Sequence, residues 1–261
     1  MKHKIAYLLL VFLVITATGF AQKINYGSNP AAGKYAMVNG TKLYYEVYGK
    51  GVPLMLLHGN GGSINAFEKQ IPFFSKYFQV IAIDSRLQGK SGGDPDTLSY
   101  NMMANDFCVL ADQLKLDSVY VLGWSDGGIN AILMALQCPS KVKRIAFTGA
   151  NTVPDSSAIS AADIQSMKDF VESKTASQKE KTLNRMMIWQ PNITTAELST
   201  IKCRALVMAG DHDLIKAEHT LKIYQSIPGA QLCIFPDSHH GVCQQHPALF
   251  NSTVLNFLKA K

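Results

Sequence analysis

The chain has 261 residues, of which 47% are apolar and 17% are charged, so it is long enough to bury one sizeable core. Its formal net charge is +6, and the 25 lysines and arginines are spread along the chain without a basic block. This distribution argues against nucleic acid or an anionic membrane surface as a partner.

The first 21 residues have the pattern of an export signal. MKHK gives a positive start, an apolar run of 16 residues follows, and Gly19 and Ala21 supply small residues before Gln22. A transmembrane helix needs about 20 apolar residues, so the run is short for one, and no later run is longer. We therefore expect cleavage after residue 21 and export to the periplasm or the medium. An uncleaved N-terminal membrane anchor is the alternative.

The five cysteines include no C-x-x-C pair, and their odd number leaves at least one thiol free. A zinc site therefore has little support, and no metal is expected. A disulfide between two of Cys203, Cys233 and Cys243 is an open alternative after export. Otherwise we expect most cysteines to be small buried apolar residues.

After the signal, residues 37–51 alternate between apolar and polar side chains and contain turn residues at Asn39-Gly40 and Gly49, which predicts a hairpin. Short runs that are apolar on both faces then alternate with segments of helical length. This alternation predicts a parallel sheet covered by helices on each side. The strand candidates are residues 52–57, 79–83, 118–122, 144–147, 204–209 and 231–235, and the helix candidates are 65–76, 99–115, 127–138, 216–227 and 246–259.

Residues 151–200 interrupt the alternation, because they contain two stretches of helical spacing and no strand candidate. We predict that residues 22–150 and 201–261 form the α/β core. The segment between them is expected to be a helical cap over the carboxyl edge of the sheet. Ligands bind at that edge in open α/β sheets.

A serine between glycines follows the strand candidate that ends at Leu122. Gly123-Trp124-Ser125-Asp126-Gly127 fits the pattern G-x-S-x-G, in which the glycines allow a sharp strand-to-helix turn that exposes the serine hydroxyl. The free N–H groups and positive dipole end of the next helix face the same place and suit a developing oxyanion. Ser125 is therefore the candidate nucleophile, with an ordinary turn serine as the alternative.

A serine hydroxyl needs a general base, and here a carboxylate and then a histidine should follow it along the chain. Asp211 and Asp213 follow one strand candidate, and His239 and His240 follow the next. Because the carboxyl ends of parallel strands share one edge, both pairs are expected near Ser125.

With these motifs the chain resembles the α/β-hydrolase family from about residue 35 to its end. The resemblance implies the α/β-hydrolase fold: a mostly parallel eight-stranded sheet with helices on both faces and a small helical cap. The family's acid, third after a glycine, corresponds to Asp213. Counting back from Pro247 and Phe250 matches the family's histidine to His240, with His239 as the alternative.

The same resemblance assigns roles to two loops. In HGNGG, the backbone N–H of Asn60 would complete an oxyanion hole with that of Asp126, while His58 shapes the loop. DSRLQGKS resembles the family's D-x-R-G-x-G-x-S loop, except that Leu87 replaces a glycine, which leaves the backbone conformation there open. Arg86 is expected to tie loops together by hydrogen bonds.

Serine at this turn excludes the dehalogenase and epoxide hydrolase chemistry of relatives with aspartate there, because a serine ether could not be hydrolysed. The expected reaction is acyl transfer to water, with small carboxylic esters as substrates. GWSDGG also resembles the biphenyl-hydrolase-like proteins, including valacyclovir hydrolase, whose acid beside the serine receives the ammonium group of α-amino acid esters. For Asp126 this implies substrate binding, with stabilisation of the helix dipole as the alternative. Trp124 and Trp189 are further candidates for substrate contact, with internal packing as the alternative for Trp189.

Other chemistry stays open from sequence alone. The same three side chains could open lactones, hydrolyse thioesters or cleave carbon–carbon bonds of β-diketones, and the fold does not choose among them. A non-catalytic protein that captures a small ligand is the alternative of a different class. No cofactor is expected, since no G-x-G-x-x-G follows a strand and no Walker loop is present. We expect His212, His219 and His246 to be solvated surface side chains, and the sequence predicts no oligomeric state.

Overall fold

A computed structural model describes residues 24–260, so the predicted export signal lies outside the described residues. The strands are β1 Gly33–Val38, β2 Thr41–Tyr48, β3 Pro53–Leu57, β4 Gln79–Ile83, β5 Val119–Trp124, β6 Val142–Thr148, β7 Arg204–Gly210 and β8 Gln231–Phe235. The helices are α1 Ile71–Phe74, α2 Tyr100–Gln113, α3 Asp126–Gln137, α4 Ala161–Glu172, α5 Gln178–Trp189, α6 Thr195–Leu198, α7 Ala217–Ser226, α8 Val242–Gln245 and α9 Pro247–Lys259, and a 3-10 turn covers Ile64–Phe67.

The eight strands form one sheet in the order β1-β2-β4-β3-β5-β6-β7-β8. Strand β2 pairs antiparallel with β1 and β4, and all other pairs are parallel. The hairpin turns at Asn39 and Gly40, whose φ angles of 47° and 75° suit a tight two-residue turn. The predicted mostly parallel eight-stranded sheet is confirmed. Its parallel strands bring the carboxyl ends of β3, β5, β7 and β8 to one edge.

Strand side chains pack into a separate apolar cluster on each face of the sheet. On β3, Met55 and Leu57 belong to one cluster and Leu54 and Leu56 to the other, and all four are completely buried. Residues of α2, α3 and α7 complete the first cluster, and residues of α1 and α9 complete the second. This burial on both faces explains why the strands read as continuous apolar runs.

One predicted helix, residues 65–76, is wrong as a single element. The segment forms the 3-10 turn and then the short helix α1. Pro72 lies in the first turn of α1, where its missing N–H is tolerated, but it could not continue a helix from the preceding residues. The other four helix candidates form helices whose ends lie within two residues of the predicted ones.

The cysteines differ from expectation. Cys108 on α2 and Cys138 at the end of α3 form a disulfide with a Cα–Cα distance of 6.3 Å. Cys203, Cys233 and Cys243 are free, so the alternative of a bridge among them is wrong. The pairing depends on the packing of α2 against α3, which the spacing of cysteines in the sequence does not reveal.

The segment between β6 and β7 carries α4, α5 and α6 and no strand. Helix α5 is tied to the rest of the chain at several points. Thr182 donates a hydrogen bond to the Pro95 carbonyl at 2.7 Å, and the Gln190 side chain, just after the helix, accepts one from the Tyr100 N–H at 3.1 Å. None of the helices between residues 24 and 260 is both long and apolar enough to cross a membrane.

Candidate active site

Ser125 stands at a strained turn between β5 and α3. Its φ of 56° and ψ of −120° lie in a region that residues other than glycine rarely adopt. The backbone is held there because the Ser125 N–H donates to the Thr148 carbonyl at 2.9 Å and the Ser125 carbonyl accepts from the Gly128 N–H at 2.7 Å. A Cβ on Gly127 would lie 1.8 Å from the Leu57 carbonyl oxygen, so that glycine is required for the turn.

Three side chains that are distant in sequence meet beside this turn. The Ser125 Oγ lies 2.9 Å from His240 Nε2, and His240 Nδ1 lies 2.7 Å from Asp213 Oδ1. The Asp213 side chain is 1% exposed and also accepts hydrogen bonds from the N–H groups of Ile215 at 3.0 Å and Gly210 at 3.3 Å. The carboxylate is therefore fixed in orientation before it contacts the imidazole.

These contacts assign the imidazole proton of His240. A carboxylate only accepts hydrogen bonds, so Nδ1 carries the proton and donates it to Asp213. Nε2 is then the acceptor of the Ser125 hydroxyl. The Trp124 indole N–H donates to the His240 carbonyl at 2.8 Å and fixes the backbone of that residue.

The alternative candidates for the acid and the base, Asp211 and His239, do not contact the Ser125 hydroxyl. Asp211 accepts hydrogen bonds from the N–H groups of Asp237 and Ser238 at 3.0 and 2.9 Å, and so holds the loop that leads to His240. His239 is exposed, with Nδ1 3.3 Å from the His212 carbonyl. Neither side chain is bonded to the hydroxyl at the turn.

The backbone N–H groups of Asn60 and Asp126 have no hydrogen-bond acceptor among residues 24–260. The loop before Asn60 is held by His58, which is 1% exposed, accepts from the Ser85 N–H at 3.0 Å and bonds the Gly59 carbonyl through Nδ1 at 2.7 Å. Burial lowers the pKa of His58 to about 4, so this imidazole is neutral at pH 7. These bonds agree with a loop-shaping role.

A second loop, residues 84–91, supports the first. Leu87 has φ of 64°, so it adopts the left-handed conformation that favours glycine, and the next side chain, Gln88, accepts a hydrogen bond from the Gly61 N–H at 2.7 Å. Arg86 makes two 2.7 Å hydrogen bonds to the Asp106 carboxylate and thereby ties this loop to α2.

Asp126 is 4% exposed, and its Oδ2 accepts a hydrogen bond from the Asn60 side chain at 2.9 Å. Burial raises the pKa of Asp126 to about 6, although the nearby Tyr100 hydroxyl and the Asn60 amide oppose the shift. Neither the proximity of Tyr100 to Asp126 nor the side-chain contact of Asn60 was predicted from the sequence. No local pattern could reveal them, since Asn60 and Asp126 are 66 residues apart.

A cavity of about 180 Å³ opens beside the turn. No aspartate or glutamate is among its lining residues, which are Gly59, Asn60, Gly62, Ala66, Trp124, Ser125 and His240. Trp124 is thus at the cavity, whereas Trp189 is not. Trp189 is the last residue of α5, is 70% exposed and lines a separate cavity of about 410 Å³ with residues of α4.

The prediction that His219 is solvated is wrong. It lies on the inward face of α7, is 2% exposed, and its Nε2 accepts a hydrogen bond from the Thr152 N–H at 3.0 Å. His212 is exposed as predicted, and His246 is partly exposed. In the described part of the chain, no three histidine, cysteine or acidic residues are grouped so that they could hold a metal ion.

Comparison with known proteins gives consistent matches. The family model for the alpha/beta hydrolase fold matches residues 52–190, more than half of the chain. Human serine hydrolase BPHL is 28% identical over 258 residues, which cover 90% of this chain and 88% of that protein. A putative carbamate hydrolase RutD from Rhizobium rhizogenes is 24% identical and covers 84% of this chain and 98% of its own length.

Among solved structures, the enol-lactonase from Burkholderia xenovorans LB400 superimposes with a TM-score of 0.73 at 22% identity, over 87% of this chain and 100% of that one. At this identity the likeness concerns the fold alone. The sheet order, the G-x-S-x-G turn between β5 and α3, the family match and the relatives agree. This chain is therefore a hydrolase that belongs to the α/β-hydrolase family.

Proposed function

We propose that the protein is an exported serine hydrolase that cleaves small carboxylic esters. The observation that carries the proposal is the continuous hydrogen-bonded chain from the Ser125 hydroxyl through the His240 imidazole, at 2.9 Å, to the Asp213 carboxylate, at 2.7 Å. Such a chain converts a weak hydroxyl nucleophile into a reactive one.

In the first half of the reaction, His240 Nε2 takes the proton of Ser125 as the hydroxyl oxygen attacks the ester carbonyl. Asp213 keeps the proton on Nδ1 and stabilises the imidazolium that forms. Negative charge develops on the carbonyl oxygen, and the N–H groups of Asn60 and Asp126 would bind it. Removing one such donor typically costs about 3 kcal/mol of transition-state stabilisation. The imidazolium then protonates the departing alcohol and leaves an acyl-serine.

In the second half, His240 takes a proton from water as the water attacks the acyl-serine. The same N–H groups bind the second oxyanion, and the imidazolium returns its proton to the Ser125 oxygen as the carboxylic acid departs. Every step uses groups of the chain and water.

The size of the cavity supports small substrates. Its volume of about 180 Å³ is close to that of engineered cavities of roughly 150 Å³ that hold benzene, so it fits a short acyl chain or a small alcohol group. Because the lining has no carboxylate and the Asp126 carboxylate is already bonded, these features favour neutral esters over α-amino acid esters.

Export is supported by two independent features. The N-terminal 21 residues have the pattern of a signal peptide, and a disulfide joins Cys108 to Cys138, as is common in oxidising compartments. Fractionation of cells that express the full chain, followed by N-terminal sequencing, tests this. A mature protein that begins at Gln22 supports export, whereas an intact N-terminus in the membrane fraction supports the anchored alternative.

Fluorophosphonate labelling tests the nucleophile. Wild type should be labelled and should hydrolyse p-nitrophenyl acetate, and Ser125→Ala should do neither. His240→Ala should lose activity, while the matched control His239→Ala, which changes the adjacent exposed histidine, should keep it. Equal labelling of wild type and Ser125→Ala, or equal losses in the two histidine variants, would contradict the assignment.

The acyl chemistry is tested by a panel of an ester, a lactone, a thioester and a β-diketone at equal concentration. The ester should have the highest kcat/KM. No turnover of any member, together with tight binding of a small molecule, would favour the ligand-capture alternative instead.

A further inference from the structure

The two residues whose N–H groups would bind the oxyanion are joined through their own side chains. Asn60 follows β3, and Asp126 begins α3, so the two donors come from separate elements. The Asn60 amide donates a hydrogen bond to the Asp126 carboxylate at 2.9 Å. This bond connects the loop after β3 to the start of α3, next to the proposed reaction centre.

We propose that the Asp126 carboxylate is a positioning group: with the Asn60 side chain it fixes the spacing of the two backbone donors, and it does not receive a substrate ammonium group. This inference rests on the proposed ester hydrolase function and adds the role of one pair of side chains to it. The positioning acts on N–H groups that any ester needs, so the role is independent of substrate charge.

Burial and hydrogen bonding support this role for Asp126. Asp126 is 4% exposed, and the hydroxyl of Tyr100, a residue that is 2% exposed, is near enough to the carboxylate to favour its charged form. The Asp126 main chain is anchored too, since its carbonyl accepts from the Asn130 amide at 2.9 Å. This buried carboxylate is bonded to the Asn60 amide and does not line the cavity beside Ser125, so it would have to break that bond to bind a ligand cation.

The loop around Asn60 needs such a restraint. Its neighbours are Gly59, Gly61 and Gly62, and Gly61 has φ of 66°, so the backbone there has little steric preference of its own. On either side of Asn60, His58 bonds the Gly59 carbonyl and the Gly61 N–H donates to the Gln88 side chain, and these two bonds hold the loop. The Asn60 side chain supplies the direct link to the opposite donor.

The Asn60 amide has two N–H hydrogens, and both have an acceptor. Besides Asp126 Oδ2, the nitrogen lies 3.2 Å from the Leu183 carbonyl on α5. The amide is thus held in a single orientation from two sides. Because the second bond comes from the segment between β6 and β7, the pair also connects that segment to the oxyanion donors.

The test compares two esters with the same carbon skeleton, benzyl L-valinate and benzyl 3-methylbutanoate, which differ only in the amino group. The variants of the full chain are Asn60→Ala, Asp126→Ala, Asp126→Asn and the Asn60→Ala/Asp126→Ala double variant. Asn60→Ala and Asp126→Ala both keep the backbone N–H groups of residues 60 and 126, so a loss of kcat would indicate that these groups have been displaced. Asn184→Ala is the matched control, since among residues 24–260 that amide donates only to the Glu180 carbonyl on its own helix.

We expect each alanine variant to lower kcat by about 30-fold on both esters with little change in KM, because a donor displaced by part of an ångström stabilises the oxyanion less. The double variant should lose no more than either single one, as expected for one shared interaction. Asp126→Asn should recover most of the loss, since its amide oxygen can still accept from Asn60. Asn184→Ala should match wild type.

Three results would overturn the inference. The first is a loss confined to benzyl L-valinate in both Asp126 variants, which would assign the ammonium-binding role. The second is wild-type kcat in Asn60→Ala, and the third is additive losses in the double variant. Melting temperatures measured alongside detect unfolding, and if Asp126→Ala does not fold, Asn60→Ala and Asp126→Asn still decide. If wild type hydrolyses neither ester and Ser125 is not labelled, the proposed function fails, which is a distinct outcome.

Discussion

Removing the disulfide between Cys108 and Cys138 should destabilise the fold by an amount that the structure allows us to calculate. The bridge joins residues 30 positions apart. The chain-entropy relation for a loop of that length gives about 12 cal/mol/K, or about 3.7 kcal/mol at 25 °C. Since whole domains are stable by only about 5–15 kcal/mol, this is a large fraction of the total. With a urea m-value of about 3 kcal/mol/M, the unfolding midpoint should fall by roughly 1.2 M.

The assay is urea unfolding of wild type and of the Cys108→Ala/Cys138→Ala variant, each with and without reductant. Reductant should lower the wild-type midpoint to that of the variant and leave the variant unchanged, and Cys203→Ala should still respond as wild type does. Thiol titration of the unfolded wild type should find three thiols without reductant and five with it. Five thiols in protein never exposed to reductant, or a midpoint insensitive to reductant, would refute the reasoning.

Two further perturbations are informative. Gly127→Ala would bring a Cβ to 1.8 Å from the Leu57 carbonyl oxygen, so the turn must shift by more than about 1 Å and kcat/KM should fall at least about 100-fold. The control is Gly92→Ala, which should match wild type because its Cβ would meet only ordinary contacts of 3.4 Å or more. Burial lowers the pKa of His58 to about 4 in the folded protein, below the value of about 6.5 in the unfolded chain. As the pH falls, the unfolded chain therefore takes up the proton before the folded protein does, and the contribution of neutral His58 to folding stability, fully present above pH 6.5, is lost as the pH falls toward 4. Between pH 7.5 and 4.5 this amounts to roughly 2–3 kcal/mol. Urea unfolding of His58→Gln should therefore show a shallower loss of stability over this pH range than wild type, and parallel losses would contradict the reasoning.

The fold was predictable where its signals are local. Runs such as residues 52–57 are apolar at every position, and burial of alternate side chains on opposite faces of the sheet accounts for that pattern. Asn39-Gly40 predicted the hairpin turn because both positions need positive φ. The prediction of one helix over 65–76 was wrong because Pro72 is tolerated only in the first turn of a helix. Apolar periodicity does not show where a helix begins, so it could not reveal that the helix starts just before Pro72.

The candidate site was predictable in part. Ser125 follows from glycine spacing within five residues, so a single sequence contains the signal. Choosing Asp213 over Asp211 required the family resemblance, because both lie in one turn. The structure shows that Asp211 instead accepts hydrogen bonds from two N–H groups of the loop that carries His240. The pairing of Asn60 with Asp126 was beyond prediction, since it depends on the relative placement of two loops.

Backbone strain is concentrated around the proposed reaction centre. Five residues other than glycine have positive φ in the described part of the chain, and Asn39 and Lys115 occupy ordinary turns beside a hairpin and a helix end. The other three are Ser125 itself, Leu87 in the loop that supports the Asn60 loop, and Asp237, three residues before His240. Each such conformation costs about 1–3 kcal/mol and persists only where surrounding contacts impose it. Because these three residues come from separate loops, the cost is best explained by the placement of the proposed nucleophile, its proposed base and the proposed oxyanion donors, which a relaxed turn at each position would not provide.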